Sequence, residues 1–306
     1  MCISQQLIKP KIKLAIQYLP VKINLFLEKQ INMPFRICLF IIILFSSKFA
    51  HAQYYYKDIL NNSFPAEEIK DFKKANIHFI KIKSFEADGQ LSENFFCEKK
   101  ISKNYRKSTL ITKSTESGKS IMETFFNADG LIEKTYDSSE TLVNTNFFYY
   151  NDQNKLIRTF NISKSNDDDF VVENSEDHLY FYDELNRPVK MFLVKNSADT
   201  AVILFSNDER GNTAFEKNTK SGIKYYYYYN DQNKLTDIVH SDKYSDKMRA
   251  DYIFEYNENG QLDKMITTGD ANSLIWKYDY ENNIRIKERF FNATQKYLGK
   301  IEYEYK

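Results

Sequence analysis

One octapeptide occurs twice in this chain. Tyr149-Tyr150-Asn151-Asp152-Gln153-Asn154-Lys155-Leu156 returns unchanged as Tyr228-Tyr229-Asn230-Asp231-Gln232-Asn233-Lys234-Leu235. Looser copies surround the pair: Phe85 to Leu91, Phe126 to Ile132, Tyr182 to Pro188, Asn207 to Gly211, Tyr256 to Leu262 and the shorter Tyr280 to Ile286. One position of each copy holds only Gly or Asn: Gly89, Gly130, Asn154, Asn186, Gly211, Asn233, Gly260 and Asn283. Those two residues tolerate positive φ best, and a tight hairpin demands it. The turn positions lie 22 to 41 residues apart, room for two strands and a second, more variable connection.

The flanks alternate with period two. Phe254-Glu255-Tyr256 and Ile301-Glu302-Tyr303-Glu304-Tyr305 put rings on one face and carboxylates on the other, the pattern of a half-buried antiparallel strand. With 23 Tyr and 24 Phe, the composition favours strands. Repetition at this period predicts an all-β fold over 80–306, with antiparallel hairpins stacked into an extended twisted sheet or β-solenoid. Residues 53–79 differ. Pro65 to Ala75 reads as one short helix, with Pro and acids in its first turn and lysines in its last. Ile69 and Phe72 would dock it as a cap over the exposed first edge.

The amino terminus reads as an address. Met33-Pro34-Phe35-Arg36 starts a short positive region, Ile37 to Phe45 is an unbroken apolar run, and Ala50-His51-Ala52 supplies the small-x-small pattern that a signal peptidase accepts. Residues 33–52 are therefore expected to be a signal peptide cleaved between Ala52 and Gln53. The apolar run is about half of the ~20 residues a span requires, so no integral membrane span is expected in the mature chain. Residues 1–32 are an extended n-region, or translation starts at Met33. Cys2 and Cys38 fall in these segments, which leaves Cys97 alone and no intramolecular disulfide in the mature chain.

The aromatic-x-Tyr-Asp-x-x-Gly-x-Leu pattern, best kept in Tyr180 to Arg187 and Phe254 to Leu262, resembles the YD repeat of the RHS proteins and covers most of 80–306. MORN-like repeats are a weaker resemblance. Large RHS proteins are β-shells around a carboxy-terminal toxin. The resemblance implies a β-repeat architecture here, without the toxin.

Chemistry-bearing motifs are few. Gly118-Lys119-Ser120 lacks the glycine a phosphate loop needs five residues earlier, where Lys113 stands. His78, His178 and His240 have no i, i+4 partner or neighbouring cysteine, so no metal or other cofactor is expected. Asp167-Asp168-Asp169 lacks the alternation of a calcium loop. Glu302 and Glu304 share a strand face, as glycosidase carboxylates can, but so do many exposed glutamates. The net charge of +1 gives no field for nucleic acid. The aromatic surplus is the one functional candidate. Tyr225 to Tyr229 are five consecutive tyrosines, and Tyr225, Tyr227 and Tyr229 on one face would make a ligand platform for a glycan or protein partner. The expectation is an exported, non-enzymatic binding or structural module of the periplasm or cell surface. An outer-membrane β-barrel is the first alternative, and an enzyme of unidentified class the second. N-terminal sequencing of the exported protein is expected to begin at Gln53; any other first residue discards the cleavage site.

Overall fold

The computed structural model describes residues 53–115, 117–166, 172–241, 247–269 and 273–306, so the signal segment and Asp167 to Asp169 lie outside the described residues. Eighteen strands follow one another: β1 (Phe79–Glu86), β2 (Phe96–Ile101), β3 (Lys107–Ser114), β4 (Gly118–Phe126), β5 (Ile132–Ser138), β6 (Leu142–Tyr150), β7 (Leu156–Ser165), β8 (Glu173–Tyr182) and β9 (Pro188–Lys195). Then come β10 (Asp199–Asn207), β11 (Thr213–Asn218), β12 (Lys224–Tyr229), β13 (Leu235–Ser241), β14 (Arg249–Tyr256), β15 (Leu262–Thr267), β16 (Leu274–Glu281), β17 (Ile284–Asn292) and β18 (Tyr297–Tyr305).

Each strand pairs antiparallel with the next, and β18 returns to pair with β1 from Ile80↔Tyr305 to Glu86↔Gly299. The sheet is therefore a closed barrel, which corrects the expected extended sheet or solenoid. An even strand number lets an antiparallel meander close, and closure removes the edges that an open sheet must protect. The register also steps by one residue where the Asn/Gly turns begin, as at Tyr149/Tyr150, Phe181/Tyr182, Tyr228/Tyr229 and Glu255/Tyr256. Such bulges strengthen twist and help a sheet curl.

The turns have a positive-φ position and a second element beside it. Asn154, Asn186 and Asn233 each hold φ 58, and Gly130, Gly211 and Gly260 lie between 73 and 85. The first residue of six of the turns is also specific. Asn151 Oδ1 accepts from the Gln153 and Lys155 amides at 3.1 and 2.9 Å, and Asn127, Asp183, Asp208, Asn230 and Asn257 repeat the arrangement. These are Asx turns, which hold the loop in the conformation that joins the two strands. Because strands alternate in direction, seven of the eight turns gather at one end of the barrel, here the turn end. Gly89, between β1 and β2, lies at the other end with the variable connections.

A tyrosine precedes four of these Asx turns, and also the shorter turn after β16, and it points into the barrel. Its hydroxyl donates to the carbonyl that opens the preceding strand: Tyr150 to Ile132, Tyr182 to Leu156, Tyr229 to Thr213, Tyr256 to Leu235 and Tyr280 to Leu262, at 2.6 to 2.9 Å. Tyr305 makes the same bond to Arg285. The repeated tyrosine thus stitches strands at the turn end and satisfies carbonyls that have left the ladder.

The helix is longer than expected and sits elsewhere. A π-helical turn, Tyr55–Leu60, runs into α1 (Asn61–Lys74), with Pro65 inside the helix rather than at its start. It caps no edge, because the described strands leave none. Instead it lies across the inside of the ring: Tyr55 meets Phe205 and Tyr227, Tyr56 meets Tyr252 and Phe254, and Phe72 meets Tyr305. Ile69 and Phe72 are buried as docking residues, but against inward side chains of the barrel.

Removing the hydroxyl of Tyr256 leaves the Leu235 carbonyl unpaired, so Tyr256→Phe is expected to cost about 1–2 kcal/mol in urea unfolding. Asn233→Ala, at φ 58, should cost about 1 kcal/mol and Asn233→Gly almost nothing. A neutral Tyr256→Phe would show the stitch to be idle.

Candidate functional site

The inward face divides into a packed half and a polar half. In the packed half, two clusters of buried rings and aliphatics enclose the plug, one around Tyr56, Phe72, Tyr225, Tyr227 and Phe254, the other around Tyr54, Tyr180, Met191 and Phe205. Toward the end away from the Asn/Gly turns, β4 to β8 turn a different set inward. Asn146 Nδ2 donates to Thr135 Oγ1 at 2.9 Å, Asn161 Nδ2 to Asn146 Oδ1 at 2.7 Å, and Ser120 Oγ to Asp137 Oδ1 at 3.2 Å. Ser163 reaches Asn161 at 3.1 Å and also bonds Asn144. These amides and hydroxyls run across successive strands, and Asn144, Asn146, Asn161 and Ser163 are only half-buried.

Between the halves lies a charged centre. His178 of β8 is held from both sides, its Nδ1 against Asp58 Oδ2 of the π turn and its Nε2 2.7 Å from Glu176 Oε1. Tyr180 donates to the same Asp58 oxygen at 2.8 Å, Lys195 lies 3.0 Å from Glu176, and the Tyr54 ring stands edge-on to the imidazole at 5.1 Å. Burial works against a charged His178, but the Asp58 and Glu176 carboxylates outweigh it and hold its pKa up at about 10. Glu176 is desolvated too, yet His178 and Lys195 draw it down to about 2. The imidazolium therefore locks the plug to the wall.

Glu216 of β11 is the second anchor. Its carboxylate accepts from the Tyr54 and Tyr55 amides at 3.1 and 2.9 Å and from the Tyr227 hydroxyl at 2.9 Å. It caps the first orphan N–H groups of the helix from across the lumen. Burial raises its pKa to about 7 despite those three donors.

Sequence reasoning passed over this centre. Asp58 and Glu216 carried no motif, and His178 read as isolated because its partners are 120 residues away and, for Glu176, on alternate positions of one strand. The platform tyrosines are located, but not on an open surface. Tyr225 and Tyr227 are 1% and 2% exposed inside the barrel, Tyr229 is a stitching tyrosine, and Tyr226 and Tyr228 face outward. Elsewhere, Gly118 is a positive-φ residue where β3 turns into β4, with no helix following. His78 pairs with Tyr105 and His240 with Asp251. Glu302 and Glu304 lie on the outer wall, occupied by Lys300 and Lys287, and by Lys83. Cys97 is buried.

No family model matches the chain, and no curated protein matches it. Among solved structures, it is similar to a porin-like protein from Bacteroides uniformis at 8% identity and TM-score 0.36, covering 75% of this chain and 96% of that one. It is also similar to the Photorhabdus luminescens Tc holotoxin pore, at 11% identity and TM-score 0.25 over 65% of this chain and 13% of that one. A third is TcdB2-TccC3 without its hypervariable C-terminal region, at 12% identity and TM-score 0.29 over 76% of this chain and 12% of that one. Scores this low carry no functional weight, and the barrel's role is read from its own residues.

The stability supplied by His178 has a definite pH window. Its folded pKa of about 10 exceeds its ordinary 6.5, so its contribution is full below about pH 6.5 and is lost as pH rises through about 10. Thermal melts of His178→Gln are expected to lie below the parent at pH 6 and to converge on it at high pH. Parallel melting curves across that range would rule out a charged lock.

Proposed function

We propose that this chain is an exported β-barrel that acts through its lumen as a non-enzymatic binding module, plugged at the turn end and accessible at the other. The observation carrying this reading is the half-buried ladder of Asn144, Asn146, Asn161, Ser163 and Thr135. Amides and hydroxyls on a rigid inner wall suit a neutral, hydroxyl-rich ligand such as a glycan, whose groups both donate and accept.

Closure of the sheet supports a barrel over an open-sheet module, so the outer-membrane alternative gains from it. The outer wall distinguishes a barrel in lipid from one in water. Around β14 to β18 the outward positions carry ion pairs, at mid-strand in Arg289–Asp279, Lys287–Glu302 and Lys300–Glu302 and nearer the turn in Lys264–Glu255. A Lys or Arg facing lipid at mid-depth costs roughly 2–4 kcal/mol. Most strands here, 6 to 10 residues long, also fall short of the ~9–11 residues of a membrane strand. These features favour a wall in water, in the periplasm or at the cell surface. The membrane reading rests on closure and on the arc of β6 to β10, where Tyr149, Phe181 and Leu204 are exposed at 43%, 38% and 43%. Even that arc is threaded by Arg158 over Tyr149 and Phe160, and Lys190 over Phe181 and Phe192.

The exported protein is expected to stay monodisperse without detergent and to remain with the soluble fraction when lipid vesicles are floated. A need for detergent together with co-flotation would move the barrel into the membrane. Binding is tested on a glycan array with the parent and Asn146→Leu/Asn161→Leu. Retention lost in the double variant at near-parent thermal stability supports the lumen ladder, and retention unchanged removes it.

A further inference from the structure

The plug begins inside the barrel. Gln53 and Tyr54 are 6% and 7% exposed, and the Gln53 side chain has its Nε2 3.4 Å from Asp251 while its buried Oε1 finds no hydrogen-bond partner. Glu216 lies beside this point, 1% exposed and bound through the Tyr54 and Tyr55 amides and the Tyr227 hydroxyl. All three donors are neutral. Neutral donors solvate a carboxylate but do not cancel its charge, and a buried charge is costly until something does. Asp58 is also close enough to oppose its ionisation. The imidazolium of the adjoining network, His178, is already shared by Asp58 and Glu176.

A cation can come from the backbone. One residue spans at most about 3.6 Å, and Tyr54 N is 3.1 Å from Glu216 Oε1, so the nitrogen of Gln53 lies within about 7 Å of that oxygen. In an uncut chain this nitrogen is a neutral amide. Hydrolysis of the peptide bond before it leaves a carboxylate on Ala52 and an α-amine on Gln53, which takes a proton at neutral pH. Such an ammonium at the positive end of a helix is stabilised by a nearby carboxylate. Glu216 lies within that reach, and Asp251, 3.4 Å from the Gln53 side-chain amide, adds negative charge on the same side.

We propose that the amino group freed by cleavage between Ala52 and Gln53 is held inside the barrel as the counter-charge of Glu216, so that removal of the signal completes the plug. This rests on the cleavage site read from the sequence and is independent of any lumen ligand. It gives Glu216 a role beyond capping, and it makes the first residue of the mature protein a structural element.

The test uses the full chain, exported and processed by its host, in four forms: natural, with Gly-Ser-Gly inserted between Ala52 and Gln53, and each of these with Glu216→Gln. N-terminal sequencing and intact mass come first. A mature natural chain that starts elsewhere, or one whose Gln53 has cyclised with loss of ammonia, has no such ammonium and overturns the proposal. Displacing the amine by three residues is expected to lower Tm by several degrees where Glu216 is present and to have a clearly smaller effect in Glu216→Gln, since the cycle isolates the pair from any steric cost. Equal losses in both backgrounds, or none, overturn it. Should Glu216→Gln fail to fold, acylation of the natural protein decides. An amine held in the lumen resists an amine-directed reagent until the chain is unfolded in denaturant, whereas ready labelling of Gln53 in the folded protein overturns the proposal.

Discussion

The pairing of β18 with β1 governs the rest of the molecule. Seven facing residue pairs, Ile80↔Tyr305 through Glu86↔Gly299, join segments more than 200 residues apart and turn a meander into a ring. A ring has no edge to protect, but eighteen strands enclose more space than their own side chains fill. About eight strands are the most that pack solid, and barrels of about 16–18 otherwise hold water. The plug answers that constraint. The segment from Gln53 to Lys74 fills one half with tyrosines and leaves the other half to amides and hydroxyls.

Tyrosine suits both demands. Its ring supplies the bulk that a wide lumen requires, and its hydroxyl reaches a carbonyl that phenylalanine would leave unpaired. That explains why the residue before a turn at this end is Tyr at 150, 182, 229, 256 and 280. Where it is not, the substitution is informative: Asn207 occupies the equivalent place and its amide lies 3.4 Å from the Pro188 carbonyl, while Phe126 is simply buried. The repeat is thus a unit of hydrogen bonding as much as of turn geometry.

The legible part of this fold was local. Asn154, Asn233 and Gly260 announced their turns because positive φ restricts residue type at the position itself, and Phe254-Glu255-Tyr256 announced its two faces by alternation. Closure left no such mark. An inward tyrosine on a ring and one on the covered face of a solenoid follow the same period, so nothing in the strands distinguishes β1 as an edge from β1 as a partner of β18. The same limit hid the charged centre. Asp58, His178 and Glu216 meet only because the plug threads the ring, and each is unremarked in its own neighbourhood. Five tyrosines from 225 to 229 suggested a surface for binding. Inside a plugged barrel, alternate members of that run become core, with Tyr227 tied to Glu216 and Tyr229 to Thr213.

The placement of charge separates what holds the plug from the neutral ladder on the wall beside it. Asp58, Glu176, His178 and Lys195 are satisfied by one another, and Glu216 is turned to the helix start, so the charged centre is committed to fastening. Beyond it, Asn144, Asn146, Asn161 and Ser163 bond mainly among themselves while staying half-accessible. Neutral groups of this kind exchange a partner on the wall for one on a ligand at little cost, whereas a buried ion pair cannot be opened without stranding a charge. A barrel fastened by ions at its middle can therefore hold its plug rigidly while the amides further along its wall stay exchangeable, because the two sets use interactions of different strength.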